Sequence, residues 1–228
     1  MKVGVSLLAS AVYCERRLLL PPPPLEPEKS LVRGREINEL VAIETPAPKE
    51  YPDILKKTER QMWFSEGTLS TEYKGITIVG RFDAVLISRR GLRLLIERKV
   101  KEGSLPHFPS PSAIFQGMTY VWLHEQNKIN VENAEVEIDI CSAKFCPIHL
   151  VRNKLEFCTK RCSFSRRVKW KYERCIKKDS EPDFRCKKDY LTKLERLISI
   201  LNGSTKPIEP SPTLCENCKW ASVCQKLQ

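Results

Sequence analysis

The chain holds 228 residues, 41% hydrophobic and 29% charged, with a net charge of +11 at pH 7 and ten cysteines. That length buries a good core in one domain, with room for an insertion. No window approaches the ~20 apolar residues of a membrane span. The basic balance asks for an anionic partner, nucleic acid foremost; the bland alternative is a solubilising surface.

The first fourteen residues, MKVGVSLLASAVYC, carry one lysine and a short apolar stretch. They run straight into Glu15-Arg16-Arg17 with no cleavage site, so they do not read as a signal peptide. The expected location is the cytoplasm, where cysteines bind metal more often than they pair. Residues 6–19 read as a helix with Cys14 near its end. Pro21 to Pro24 break it and stiffen a polyproline connection. A second helix is expected over Leu31 to Ile43, with Leu31, Ile37, Leu40 and Val41 near helical spacing. A third is expected over about Pro52 to Phe64, since Pro52 suits a first helical turn. Thr68 to Glu72 and Ile76 to Val79 then read as strands split by Tyr73-Lys74-Gly75.

They lead into a hairpin, Val79 to Val100, around which the chain is organised. Two apolar strands flank Arg89-Arg90-Gly91, a three-residue loop in which Gly91 takes a positive φ. Pairing Ser88 with Leu92 and walking back sets Asp83 opposite Glu97, their Cβ atoms roughly 5 Å apart. A bulge at the loop shifts this by one residue. Glu97 and Lys99 are two apart and project from one face. Phe82, Ala84 and Leu86 on one face, with Val85 and Ile87 on the other, read as a covered central strand. Facing carboxylates there repel unless neutralised. Mg²⁺ or Mn²⁺ suits such oxygen donors, and Lys99 beside it can orient or deprotonate a water. The bland reading is a salt bridge from Lys99 to Glu97 or Asp83.

Ser110 as N-cap and Pro111 at the first position start a helix through PSAIFQGMTYVWLHEQ. It places Gln116 and Tyr120 on one face, to support a catalytic group or to form a wet edge. Ala134 to Ile140 and Val168 to Glu173 alternate as strands. Tyr190 to Leu201 is an amphipathic helix stopped by Asn202-Gly203. After a Pro-rich loop, Cys215-x2-Cys218-x5-Cys224 supplies three thiolates. An iron–sulfur cluster needs four, and Cys14 is the chosen fourth; zinc on the same four is the alternative.

Taken together, Asp83, Glu97-Arg98-Lys99, Gln116 to Tyr120, and Cys14 with Cys215, Cys218 and Cys224 resemble the RecB-type nucleases with an iron–sulfur cluster. The chain is most similar to the CRISPR-associated protein 4 family, over most of its length except about 141 to 187. The resemblance implies an α/β restriction-endonuclease-like PD-(D/E)xK core, about 31–140 and 188–202, within a single nuclease domain spanning 1–228. An iron–sulfur cap would join residues 1–20 to 203–228, with [4Fe–4S] ahead of [2Fe–2S]. It further implies metal-dependent exonuclease action on single-stranded DNA ends, trimming captured DNA for the CRISPR integrase. Asp83, Glu97 and the Arg98 carbonyl would hold Mn²⁺ or Mg²⁺. Lys99 would activate or position the water, and Gln116 and Tyr120 would support the site.

Two departures stand out. The family pattern R-G-x-x-x-H-E reads here Arg33-Gly34-Arg35-Glu36-Ile37-Asn38-Glu39, so Asn38 replaces a histidine metal ligand. An asparagine oxygen still ligates a hard metal, more weakly for manganese-like ions; Glu36 or Glu39 can compensate. The second is the insertion at about 141–187, with Cys141, Cys146, Cys158, Cys162, Cys175 and Cys186. Disulfides are preferred there over an irregular zinc site, without an assigned pairing. Its basic pairs, such as Arg166-Arg167, and its aromatics, Phe157, Phe164, Trp170 and Tyr172, suit single-stranded nucleic acid. Equally, the aromatics belong to the core. His107, His124 and His149 read as surface or structural. Three functions compete: a metal-dependent DNA exonuclease, an iron–sulfur DNA-binding or assembly module without turnover, and a redox-responsive iron–sulfur protein.

Overall fold

The computed structural model describes residues 1–21, 45–46, 51, 60–101, 104–142, 165–173, 175, 183–210, 215, 218 and 224. The expected helix over Leu31–Ile43, with Asn38, lies outside these, as do Pro22 to Pro24. The chain opens with strand β1 (Lys2–Gly4) and helix α1 (Val5–Ser10), then a 3₁₀ turn over Glu15–Leu18. The single helix expected over 6–19 is therefore corrected: Cys14 is extended (φ −148°, ψ 103°) and divides it. Strands β2 (Thr45–Pro46), β3 (Met62–Ser65), β4 (Thr68–Tyr73), β5 (Ile76–Arg81), β6 (Ala84–Ser88) and β7 (Gly91–Lys101) follow. A helix through Phe64 is thereby excluded, because Trp63 and Phe64 are paired in β3 against Leu86 and Val85. Helix α2 (Pro111–Gln126), strands β8 (Glu135–Ser142) and β9 (Ser165–Lys171), and helix α3 (Lys187–Leu201) complete the order.

A three-stranded sheet runs β1-β5-β4, and a six-stranded sheet runs β2-β3-β6-β7-β8-β9. Lys74 and Gly75 at φ 51° and 79° turn β4 into β5, as a two-residue hairpin demands. Strand β7 is parallel to β8 and α2 connects them, the crossover such a pair needs. The strand β9, inside the stretch read as an insertion, closes the larger sheet beside β8.

The hairpin β6–β7 reaches its register by an unexpected route. Ser88 pairs with Gly91 and Ile87 with Leu92, so the loop has two residues rather than three. The register then slips, and Leu86 pairs with Leu94, leaving Arg93 as an extra residue. The bulge restores the offset, so Ala84 faces Ile96 and the next step outward sets Asp83 opposite Glu97. Gly91 has φ +110°, and a Cβ there would meet the Asn130 carbonyl at 2.1 Å. That carbonyl accepts from the Leu92 N–H at 2.9 Å, fixing the hairpin tip.

Helix α2 lies close on the sheet because Gly117 lets it. A Cβ there would come within 2.9 Å of Val136 and 3.2 Å of Ile138. Ser110 caps the helix, accepting from the Ala113 N–H at 3.3 Å. Gly117→Leu forces helix and sheet apart and is expected to cost about 1–3 kcal/mol, read from the urea midpoint. Further along, His124 is fully buried. Its Nδ1 donates to the Tyr120 carbonyl (2.7 Å), so its Nε2 accepts from the Tyr51 hydroxyl (3.0 Å). Burial holds it down to about 4, so it is a neutral core group.

The turn after Cys14 is tied to the distant end of the chain by Glu15, which is buried. Lys193 Nζ and Arg196 Nε donate to its Oε1, both at 2.7 Å. Arg196 Nη2 and the Ile208 N–H donate to its Oε2 at 2.8 and 2.9 Å. Burial alone would raise its pKa, but these donors hold the carboxyl down to about 2.

Candidate active site

Five polar side chains expected to work together meet where the β6–β7 hairpin passes under α2. Asp83 sits just before β6. Its carbonyl accepts from the Glu66 N–H at 3.0 Å, and its Oδ2 accepts from the Arg98 N–H at 2.7 Å. Glu97 is 2% exposed. Lys99 Nζ donates to Glu97 Oε1 at 2.6 Å and to Gln116 Oε1 at 2.8 Å. Gln116 Nε2 in turn donates to the Tyr120 hydroxyl at 3.1 Å. The strand period brings Glu97 and Lys99 to one face, the helix period brings Gln116 and Tyr120 to one face, and Lys99 joins them. The Tyr120 ring has room because Gly80 underlies it: a Cβ there would stand 2.6 Å from the ring.

The electrostatics are those of a site short of positive charge. Burial, then the Asp83 charge, pushes Glu97 up to about 8, with Lys99 offsetting only part. Burial likewise pushes Asp83 up, against the Arg98 N–H and the Lys99 charge. Burial opposes the charge on Lys99, but Glu97 and Asp83 outweigh it and hold the ammonium above the ordinary lysine value. Glu97 Oε2 is buried and has no hydrogen-bond partner among the described residues. An acceptor stranded beside a second carboxyl is what a hard divalent cation satisfies. The donors are oxygens, so the residues fit Mg²⁺ or Mn²⁺. The Arg98 carbonyl stands on the strand between Glu97 and Lys99. Sequence reasoning missed Glu66, whose charge acts on Asp83 and whose N–H holds the Asp83 backbone. It occupies a turn at φ 57°, and a Ser-Glu-Gly turn carries no motif that marks it.

The cysteines divide into two groups. Cys175 and Cys186 form a disulfide, while Cys146, Cys158 and Cys162 lie outside the described residues. Cys14, Cys215, Cys218 and Cys224 take part in no disulfide among the described residues, and neither does Cys141, for which one was expected. Burial pushes the Cys215 thiol up, with Cys14, Cys218 and Cys224 each adding to the shift. Arg16 Nη1 lies 3.7 Å from Cys224 Sγ, and Arg16 is also paired with Glu209. Among the described residues, however, no three His, Cys, Asp or Glu side chains form a group that could hold a metal ion.

Of the two roles the sequence left open for the aromatics of this stretch, stacking surface or core, Trp170 and Tyr172 take the core. Trp170 is 5% exposed and Tyr172 fully buried, because the alternation of β9, carried one residue past its end, turns them toward the core. Arg167 stands 3.5 Å from both Glu137 and Asp139 on β8. Arg166 donates to the Pro106 carbonyl at 3.0 Å and lies 3.3 Å from His107 Nδ1. These groups hold the sheet edge together. Phe157, Phe164 and His149 lie outside the described residues.

No helix among the described residues is long and apolar enough to cross a membrane. Among solved structures, the chain is similar to the crystal structure of SSO0001, at 13% identity and TM-score 0.48, covering 99% of this chain and 86% of that one. It is also similar to a candidate exonuclease from Eubacterium rectale, at 12% identity and TM-score 0.38, covering 96% and 74%. No curated protein matches it. The family model of the PD-(D/E)XK nuclease superfamily matches residues 19–225, a span that contains Asp83, Glu97, Lys99, Gln116 and Tyr120. By that match over most of its length, this chain belongs to the PD-(D/E)XK nuclease superfamily.

Proposed function

We propose that the chain is a metal-dependent DNA exonuclease acting on single-stranded ends. The observation that carries this reading is the buried Glu97 oxygen beside Asp83, without a hydrogen-bond partner among the described residues, with Lys99 drawn in between Glu97 and Gln116. Asp83, Glu97 and the Arg98 carbonyl would hold Mg²⁺ or Mn²⁺, with Asn38 as a further oxygen ligand. The cation supplies charge stabilisation at the phosphate and lowers the pKa of the attacking water. Asp83 is held in place by the Arg98 and Glu66 N–H groups. Lys99, anchored by Gln116, positions the water and holds a positive charge against the reacting phosphate. Tyr120 fixes the Gln116 amide and so the direction of the lysine.

The motif order and cysteine spacing further support a role in trimming captured DNA before a CRISPR integrase inserts it. They also support an iron–sulfur cluster, [4Fe–4S] ahead of [2Fe–2S], on Cys14, Cys215, Cys218 and Cys224. Cys218→Ala is expected to bleach anaerobically purified protein and lower its melting temperature; a brown, equally stable variant excludes that ligand. Asn38 favours a second reading, a DNA-binding assembly module without turnover. An end-labelled single strand separates the two, incubated with Mn²⁺ or EDTA beside Glu97→Ala. Metal-dependent loss of label that disappears in the variant supports the nuclease. Binding without cutting supports the module.

A further inference from the structure

A cavity of about 440 Å³ opens between the N-terminal turn, the start of α2 and the face of α3. Its volume falls in the ~300–1,000 Å³ range of small-molecule sites. Val12, Tyr13, Pro111 and Phe184 give it flat, apolar walls, and Asp189 and Thr192 give it a polar edge. Phe184 is braced edge-on by Phe115, ring centroids 5.7 Å apart. Tyr13 is 39% exposed. Lys193 and Arg196 also reach the cavity, but both are bound to Glu15 at 2.7 Å. A bare anion would therefore meet cations already neutralised. The walls ask for a flat, uncharged group with polar atoms at its rim, while the net charge of +11 draws polyanions to the chain.

Those two demands together narrow the choice to the bases of a nucleic acid. We propose that this cavity is a nucleobase pocket, taking one unpaired base of a bound DNA strand. The assignment rests on the nuclease reading of the site at Lys99 and Gln116 and adds what the chain recognises: a base free of its duplex. A base stacked and paired within a duplex cannot enter, so the pocket selects single strands.

The test is fluorescence anisotropy of a labelled single strand in EDTA, where binding is read without cutting. Tyr13→Ala is expected to weaken binding about ten-fold, the loss of one base–ring stack. Tyr13→Phe should bind within about two-fold of the parent, since the hydroxyl is not required. Thr192→Trp fills the cavity from the opposite wall and leaves the turn beside Cys14 unaltered, so it should reproduce the loss. Scanning one abasic residue along the strand should find a position that weakens the parent but has no effect on Tyr13→Ala. Blunt duplex binding should be the same in all four proteins. Full single-strand affinity in both Tyr13→Ala and Thr192→Trp overturns the pocket, as does an identical abasic profile in parent and variant. Cleavage in Mn²⁺ is scored separately. A chain that cuts but ignores Tyr13 loses the pocket and keeps the nuclease reading. A chain with the abasic coupling that never cuts keeps the pocket and loses the nuclease reading.

Discussion

Lys99→Ala should retain its fold and its affinity for DNA while cutting an end-labelled strand in Mn²⁺ at least ~100-fold more slowly. A positioned proton-transfer group contributes about 10²–10⁴ in rate, and Lys99 is the ammonium that reaches both Glu97 and Gln116. The fold tolerates the change because the Lys99 side chain is one-third exposed, so its removal opens no sealed cavity. Gln116→Ala should have a smaller effect in the same direction, since it frees the lysine without deleting it. Cleavage by Lys99→Ala at the parent rate would remove this residue from the chemistry. Loss of DNA affinity would assign it to binding instead.

The second large effect is on stability, and it reverses with metal. A carboxyl near 8 in the fold and near 4.5 when unfolded binds a proton more tightly in the native state. The native state is therefore favoured fully below pH 4.5, and that advantage disappears as pH rises through 8. At about 1.36 kcal/mol per unit, the swing is several kcal/mol before solvent and the Lys99 pair reduce it. Metal-free protein should melt at a lower temperature at pH 8 than at pH 5. Mn²⁺ should restore most of the difference at pH 8 and do little at pH 5, where the Glu97 carboxyl holds a proton. Glu97→Gln should flatten the dependence and abolish the metal response. His124 tilts the curve the other way: its depressed pKa favours the fold above pH 6.5 and costs stability as pH falls toward 4. Glu97→Gln compared with its parent isolates the carboxyl. An equal metal response at both pH values would mean that the cation binds elsewhere.

The site was legible where one residue type carries one period. Alternation placed Glu97 beside Lys99, helical spacing placed Gln116 above Tyr120, and Ser110-Pro111 marked the start of α2. The hairpin register came out right at Asp83 for a reason the sequence does not display. The shorter loop and the bulge at Arg93 cancel, and counting residues sees only their sum. Trp170 and Tyr172 were ambiguous because an aromatic in an alternating strand suits a core and a stacking surface alike; only the packing of β9 against β8 decides. Strand β1 was hidden because three residues ahead of an apolar run merge with it. The break at Cys14 was hidden because the cause lies far away, in the groups that hold Glu15.

That clasp also sets an order of events during synthesis. Between Glu15 and Lys193 a ribosome must add 178 residues, which takes roughly ten to forty seconds at about 5–20 residues per second. Throughout that time the carboxylate has no Lys193, Arg196 or Ile208 to meet. The turn carrying Cys14 is thus one of the first pieces made and one of the last to be secured. Chaperones meet the nascent chain with that end still loose.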